Sequence, residues 1–226
     1  MNLGKSYIDR SETMYPSVAY QFDSSEVGDM GYFFTRDLST SYGYVFEGSV
    51  TLPNKTVTAG EYFCLWTTQS TEIKYQGKLS VFMRIGFRGQ DMIGGPVEAK
   101  GRLTYIDGCS DSILIYPPRQ SDPSLNLLHF PPNIKQTWHT HPSLRFGIVI
   151  AGCGYAATNR RINLDGEEEE NRYLLEKGMM FCIEEQELHR FVTENQTMTV
   201  IAFHPDGDWG PTDHNHSMIN RTYLTK

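Results

Sequence analysis

The sequence predicts an all-β protein built from two β-barrel units in tandem. Short runs rich in β-branched and aromatic residues alternate with glycine and proline along all 226 residues, and convincing helical periodicity is absent. A weak internal repeat divides the chain into two similar halves. Many short strands separated by turn residues are typical of β-sandwiches and β-barrels.

Five runs carry the strand prediction most clearly. Each combines β-branched or aromatic residues with turn chemistry at its end. They are YGYVFEGSVTL (42–52), LSVFMRIGF (79–87), DSILIYP (111–117), RFGIVIAG (145–152) and MTVIAFH (198–204).

The internal repeat sets the domain division. GYVFEGSV (43–50) matches GIVIAGCG (147–154), and TAGEYFCLW (58–66) matches EKGMMFCIE (176–184). The two Phe-Cys pairs lie at the same offset from Gly60 and Gly178. We therefore predict one barrel over residues 1–105 and a second over residues 106–226, with PPRQSDPS (117–124) as an extended connector within the linking region. In the second copy, the run Glu167–Glu170 is expected at a solvated hairpin tip.

Composition excludes several classes of function. The formal net charge of −7 argues against a nucleic-acid or anionic-membrane surface, which needs a basic patch. No apolar run is long enough to span a bilayer, and the N-terminal segment lacks the apolar core of a signal peptide, so we expect a cytoplasmic protein. The four cysteines form no CxxC and are expected as free, mostly buried thiols, with Cys153 packed as a small apolar residue.

The histidines predict a metal site in the second barrel. All seven lie at or after residue 129: His129, His139, His141, His189, His204, His214 and His216. Residues i and i+2 of a strand share a face, so His139 and His141 point together, and His189 follows a later strand. Three neutral imidazoles suit Fe, Zn, Ni or Cu and leave positions open for substrate.

The repeat extends this comparison to the first half of the chain. It places Thr35 and Asp37 where the second copy has His139 and His141, and Thr71 where it has His189. The sequence therefore predicts a metal in the second barrel alone.

These motifs resemble the two conserved motifs of the cupin superfamily. The His-x-His at 139–141, the glycine-containing strand after it, and Gly178 with a histidine eleven residues later carry the resemblance, which covers residues 128–205. The N-terminal half resembles a degenerate cupin, so the whole chain resembles a bicupin. The resemblance implies two tandem jelly-roll barrels, with His139, His141 and His189 binding a metal inside the second.

The sequence departs from the cupin pattern at two places. The family has a glutamate three or four residues after the second histidine as a fourth ligand, whereas HTHPSLR places Arg145 there. The usual Pro-x-Gly turn of the second motif is replaced by EEQELH (184–189). A site with three histidines alone resembles the iron centres of some cupin dioxygenases.

Arg145 has two interpretations. It could bind the carboxylate of a substrate that also contacts the metal, since a guanidinium forks around a carboxylate with two parallel hydrogen bonds. Alternatively it turns outward and pairs with a surface acid. The first interpretation makes Arg145 the candidate catalytic residue.

The resulting functional hypothesis is a non-haem Fe(II) dioxygenase that acts on a small anionic molecule, a carboxylate. Zn, Mn or Ni in place of Fe(II) would suit a metal-dependent isomerase, epimerase or lyase, and a non-enzymatic small-ligand-binding barrel is a further alternative. The resemblance also leaves a homodimer open. Trp138 or Tyr155 could line the pocket, and His129 and His204 are expected to be structural. The tail, with Asp213, His214 and His216, is expected to form a lid or dimer arm, with a second metal site as the alternative.

Overall fold

A computed structural model describes residues 1–4, 6–119 and 121–206, so the predicted tail site at His214 and His216 lies outside the described residues. The described chain forms strands in two antiparallel sheets and two single-turn 3₁₀ helices, Ser24–Glu26 and Ile106–Gly108, which confirms the all-β prediction. Among these residues no helix is both long and apolar enough to cross a bilayer. The strands are β1 (Asn2–Gly4), β2 (Tyr7–Arg10), β3 (Ser17–Asp23), β4 (Gly31–Phe34), β5 (Ser39–Thr51), β6 (Thr56–Thr58), β7 (Tyr62–Thr67), β8 (Glu72–Ile85), β9 (Met92–Gly94), β10 (Leu103–Thr104), β11 (Ser110–Ile115), β12 (Ser124–Phe130), β13 (Arg145–Ile162), β14 (Glu168–Glu176), β15 (Met180–Ile183), β16 (His189–Val192) and β17 (Met198–His204).

The two sheets make two jelly-roll-type barrels. The first sheet has the order β2-β3-β8-β5-β7-β9, with β4 on β8 and β6 on β5. The second has the order β1-β15-β13-β17-β12-β11-β10, with β14 and β16 on β13. The long strands β5 and β13 therefore occupy matching central places, as the sequence repeat predicts.

Glycine pairs with phenylalanine at the same point of both barrels. Gly43 lies opposite Phe63, and Gly147 lies opposite Phe181. A Cβ on Gly43 would fall 2.2 Å from the Phe63 ring, and one on Gly147 would fall 2.1 Å from the Phe181 ring. In each barrel the aromatic ring needs the space above the glycine, which explains why the repeat keeps these residues.

A shared hydrophobic core joins the barrels. The Phe203 ring stacks on Phe82 of the first barrel with centroids 5.5 Å apart and packs against Tyr42 at 4.9 Å. Successive residues of a strand alternate between faces. On β13, Phe146 belongs to this shared core, and the neighbouring Arg145 and Gly147 lie on the opposite face. Phe146 and Arg145 both border a cavity inside the second barrel.

The ends of the barrels differ from the sequence expectation. Strand β1 pairs with β15, with Asn2 opposite Cys182, so residues at the start of the chain lie in the second sheet. The chain passes from the first sheet to the second between β9 and β10. The segment 117–124, expected to connect the barrels, joins β11 to β12 within the second one.

Two local expectations are wrong. The turn after β13 uses residues 163–167, where the Asn163 side chain accepts from the amides of Asp165 and Glu167, and the acidic run continues into β14. Glu168, Glu169 and Glu170 therefore belong to a strand, and only Glu167 lies in the turn at the hairpin tip. All four cysteines are free, but Cys153 is only half-buried, and its thiol lies 3.7 Å from the Gln196 side-chain oxygen.

Candidate metal centre

Backbone pairing brings two distant histidines together. The amide of His139 donates to the carbonyl of His189 at 3.0 Å, and the amide of His189 donates to the carbonyl of His139 at 3.0 Å. His189 opens β16, and His139 lies in the loop before β13. This closed pair of hydrogen bonds fixes the two chain segments at one end of the second barrel.

The three predicted histidines form one cluster. The ring centroids of His139 and His189 lie 4.4 Å apart, and the His141 ring lies 5.2 Å from His139 and 5.1 Å from His189. One nitrogen of each ring lies within 4.8 Å of the other two. One ion could be shared among these nitrogens, and no carboxylate belongs to the cluster among the described residues.

Hydrogen bonds assign the protonated nitrogen of two rings. His139 Nδ1 lies 2.8 Å from the carbonyl oxygen of Thr137, and His189 Nδ1 lies 2.8 Å from the carbonyl oxygen of Glu187. A carbonyl only accepts, so each Nδ1 carries the proton and each Nε2 presents a lone pair. Metal-binding histidines use the same arrangement to orient the ring.

The burial and contacts of His189 Nε2 indicate whether the site fits a metal. His189 is 0% exposed, and its Nε2 has no hydrogen-bonding partner among the described residues. An unsatisfied buried acceptor is unfavourable by about 1–3 kcal/mol, and coordination to a cation would satisfy it. The donor set therefore fits a divalent metal.

Burial keeps the imidazoles of His141 and His189 neutral. Burial lowers the pKa of His141 to about 3, and the nearby guanidinium of Arg145 adds to this effect. Burial also lowers the pKa of His189 to about 4, although its hydrogen bond to Glu187 opposes the shift. Neutral imidazole is the form that binds metals, so the site is ready for a cation near pH 7.

The cluster opens on a cavity of about 190 Å³ inside the second barrel. Its size suits a small organic molecule. The apolar wall is formed by Ile113, Pro117, Leu128, Phe130, Phe146, Phe181, Ile183, Phe191 and Ala202, and the polar lining by Tyr105, Asp111, Ser124, Asn126, Gln136, His139, His141, Arg145 and His204.

Arg145 lines this cavity and is buried, so it does not turn outward to a surface acid. Its Nη1 donates to the carbonyl oxygens of Ser143 and Leu144 at 3.1 and 2.7 Å, and it forms an ion pair with Asp206 at 3.3 Å. Burial lowers the pKa of Arg145 to about 10, and Asp206 opposes the shift, so the guanidinium is charged at neutral pH.

The sequence interpretation missed part of the polar lining. Tyr105, Asp111 and Asn126 were not candidates, and His204 was expected to be structural but lines the cavity beside Ala202. Burial lowers the pKa of His204 well below its usual value. Period-two alternation on β17 was the available signal, because Ala202 and His204 share one face while Phe203 lies in the shared core.

Three other predicted residues lie outside the cavity lining. His129 contacts the Thr199 hydroxyl at 3.3 Å, as expected for a structural histidine. Tyr155 packs under the Arg172 guanidinium at 5.9 Å. The Trp138 indole lies under the guanidinium of Arg190 at 4.4 Å, and this guanidinium bonds to Glu168 and Glu170 of β14. Trp138 and Arg190, which adjoin His139 and His189, thus connect the cluster to the β13–β14 hairpin by these contacts.

The first barrel has the same backbone arrangement with different side chains. The amide of Thr35 donates to the carbonyl of Thr71 at 3.0 Å, as that of His139 does to His189. The Thr35 hydroxyl accepts from the Thr71 amide at 3.0 Å and from the Thr67 hydroxyl at 2.9 Å. Asp37 accepts from the Ser70 amide at 2.6 Å. These side chains serve local hydrogen bonds, and the histidine cluster is the only group of three potential ligands among residues 1–4, 6–119 and 121–206.

Comparison with known proteins gives the fold. The sequence matches no protein-family model and no protein with a curated description. The structure is similar to an IolB-like protein from Salmonella typhimurium LT2, with a TM-score of 0.60 at 12% identity, covering 95% of this chain and 94% of the other. It is also similar to a cupin 2 conserved barrel domain protein from Leptotrichia buccalis, with a TM-score of 0.54 at 12% identity over 89% and 88% of the two chains.

A third similar structure is a protein of unknown function of the DUF861 family from Pseudomonas syringae pv. tomato str. DC3000, with a TM-score of 0.52 at 14% identity over 85% of this chain and 83% of the other. Structural similarity at sequence identities of 12–14% shows a common fold and does not show a common activity. The described chain, with a three-histidine cluster at its second barrel, therefore has the cupin fold.

Proposed function

We propose that the protein is a divalent-metal-dependent enzyme that acts on a small organic acid, and that it is a non-haem Fe(II) dioxygenase with a three-histidine centre. The observation that carries the proposal is the cluster of His139, His141 and His189, in which His139 and His141 line a cavity and His189 Nε2 lacks a hydrogen-bonding partner among the described residues.

His139 and His189 would hold the metal through Nε2, since each Nδ1 donates to a backbone carbonyl, and His141 would contribute one ring nitrogen. Fe(II) suits three neutral nitrogen ligands, and when bound it supplies redox chemistry toward O₂ and substrate. The apolar wall excludes bulk water, which strengthens electrostatic interactions inside the cavity.

Arg145 would bind the substrate carboxylate. A guanidinium near a divalent metal is favourable when an anion lies between the two charges. Asp206 balances the buried charge of Arg145 in the protein alone, and the contacts to Ser143 and Leu144 fix the guanidinium position. An anion held in this way would have one end at the metal and would be oriented before any reaction.

The test combines metal content with oxygen uptake. Protein as isolated is measured by elemental analysis, then loaded with Fe(II) and supplied with a panel of small carboxylic acids while O₂ consumption is recorded. We expect close to one metal per chain and acid-dependent O₂ uptake.

Two variants control the experiment. His189→Ala should lose both metal and uptake, whereas His129→Asn, which changes a histidine outside the cluster, should keep both. Turnover with Zn(II) or Mn(II) under nitrogen would contradict the dioxygenase and favour an isomerase, epimerase or lyase. Tight acid binding without turnover would favour a ligand-binding protein.

A further inference from the structure

Asp111 is an acidic side chain on the cavity wall, on strands that carry none of the three histidines. It lies on β11, and Asn126 lies on the paired strand β12 with its side chain on the same face. Both residues line the cavity together with His139, His141 and Arg145. The cavity therefore contains a cationic side chain and, on other strands, a carboxyl group.

Hydrogen bonds hold the Asp111 carboxyl group in place. Asn126 Nδ2 donates to both carboxyl oxygens, at 3.1 and 3.0 Å. The Ser124 hydroxyl donates to Asn126 Oδ1 at 3.0 Å, which fixes the amide with its NH₂ group toward Asp111. Each carboxylate oxygen has two acceptor sites, so this chain of contacts orients Asp111 and leaves acceptor capacity available.

Asp111 forms no ion pair with the described residues. Carboxylates removed from water are normally paired with a cation, because an uncompensated buried charge is strongly unfavourable. Elsewhere in the chain, buried Asp206 has Arg145 and buried Asp122 has Arg119. Asp111 has an amide as its partner, and burial raises the pKa of its carboxyl group. Carboxyl groups in such an environment cluster at functional sites.

We infer that Asp111 accepts a hydrogen bond from the substrate, so that the substrate is a small carboxylic acid that also carries a hydroxyl or amino group. This inference rests on the proposed function, since Arg145 takes the carboxylate of the same molecule. The rings of Phe130, Phe181 and Phe191 line the same cavity and limit the substrate to a short carbon skeleton.

The experiment measures a preference between matched acids. The full-length protein loaded with redox-inactive Zn(II) is titrated by calorimetry with propionate, 3-hydroxypropionate and 3-aminopropionate, and with the corresponding four-carbon series. We expect the hydroxy or amino acid to bind at least about tenfold more tightly than the plain acid, since a hydrogen bond to a charged group stabilises a complex more than one between neutral groups. If the hydroxy acids bind more tightly than the plain acids, the donor to Asp111 is a hydroxyl group. If the amino acids do, the donor is an ammonium group.

Asp111→Asn tests the assignment directly. This isosteric change removes the acid group, so it should reduce the difference in affinity between donor-bearing and plain acids to within about twofold. It should leave the Zn(II) content unchanged and should not weaken binding of the plain acid. Asp91→Asn is the matched control in the first barrel, where Asp91 accepts from the Trp66 amide, and should retain the full preference. A preference caused by chelation at the metal would survive Asp111→Asn and would overturn the inference.

The remaining outcomes separate the two proposals. Equal binding of plain and donor-bearing acids by the unmodified protein overturns the role of Asp111 alone. Absence of heat with every acid, or failure to bind Zn(II), overturns the proposed function and the inference with it. Loss of plain-acid affinity in Arg145→Lys, with the Zn(II) content kept, supports the shared carboxylate position on which both depend.

Discussion

Arg145 and Asp206 form an ion pair at 3.3 Å inside the second barrel, with both side chains only 4% exposed. Removing one partner of a buried pair leaves an uncompensated charge, which is more unfavourable than never forming the pair. The pair therefore makes the cavity arginine dependent on a carboxylate 61 residues later in the sequence.

Asp206→Asn should lower the free energy of unfolding by about 3–5 kcal/mol, as measured by urea denaturation at neutral pH. Glu98→Gln removes the carboxylate of an exposed pair with Arg102, whose side chains are 45% and 77% exposed, and should change stability by less than about 1 kcal/mol. Equal effects of the two variants would show that the Arg145 charge is solvated in the native protein.

Zn(II) should stabilise the protein through the histidine cluster. A ligand that binds only the native state at one hundred times its Kd adds about 2.7 kcal/mol, which raises the Tm of a chain of this size by about 5–10 °C. Calorimetric scans with and without Zn(II) measure the shift.

His189→Ala should abolish that Zn(II) shift. Thr71→Ala changes the corresponding position of the first barrel and should leave the shift intact. A full Zn(II) shift in His189→Ala would place the metal elsewhere in the protein.

Asp111→Asn should stabilise the protein at neutral pH. Burial raises the native pKa of Asp111 above its unfolded value, although Asn126 opposes the shift. The native state then binds the proton more tightly, so stability falls as the pH rises from the unfolded pKa through the native pKa. The Asp111→Asn variant has no such pH-dependent loss of stability. Its higher free energy of unfolding, relative to the unmodified protein, should disappear below the unfolded pKa of about 4.

Asp9→Asn should change the free energy of unfolding in the opposite direction and destabilise the protein at neutral pH. Hydrogen bonds from Ser11 and Tyr7 lower the pKa of Asp9 to about 2, so its stabilisation is present above the unfolded pKa and is lost as the pH falls through about 2. Urea titrations of both variants between pH 2 and 7 compare the two. A stability difference of the same sign in both would contradict the assigned burial of Asp111.

Phe203→Ala should lower the free energy of unfolding by about 3–5 kcal/mol, because Phe203 is 0% exposed and stacks on Phe82 across the two barrels. Scanning calorimetry should show one transition for the unmodified protein, since the shared core couples the barrels. Leu164→Ala, in the exposed turn after β13, should change stability by no more than about 0.5 kcal/mol. Two separate transitions in the unmodified protein would show that the barrels unfold independently.

The strands and the histidine cluster could be predicted because their signals are local. All five predicted runs form strands. His139 and His141 join one cluster with His189 as predicted, but they lie in the loop before β13 and not in a strand, so the strand alternation from which they were predicted is not what brings them together. The third histidine, His189, is predicted by its place after a later strand and by the resemblance to the second cupin motif, in which Gly178 precedes it by eleven residues. The same Gly-Phe pairing in both barrels gives the physical basis for the internal repeat.

The remaining features depend on long-range pairing that local patterns do not contain. The partner of Arg145 follows from β17 lying beside β13, and β1 reaches β15 across most of the chain. Asp111 and Asn126 could face either side of their strands, and the inward face is decided by how the second sheet closes. The acidic run looked like a solvated tip because Arg190, which pairs with Glu168 and Glu170, lies on another strand.

Residues on the two faces of β13 have different packing requirements. Phe146 must fit against Phe82 of the first barrel, with ring centroids 6.1 Å apart, as well as border the cavity of the second barrel. The opposite face, with Arg145 and Gly147, is free of that requirement. A substitution at Arg145 or Gly147 therefore alters the interior of the second barrel alone, whereas a substitution at Phe146 alters the packing of both barrels.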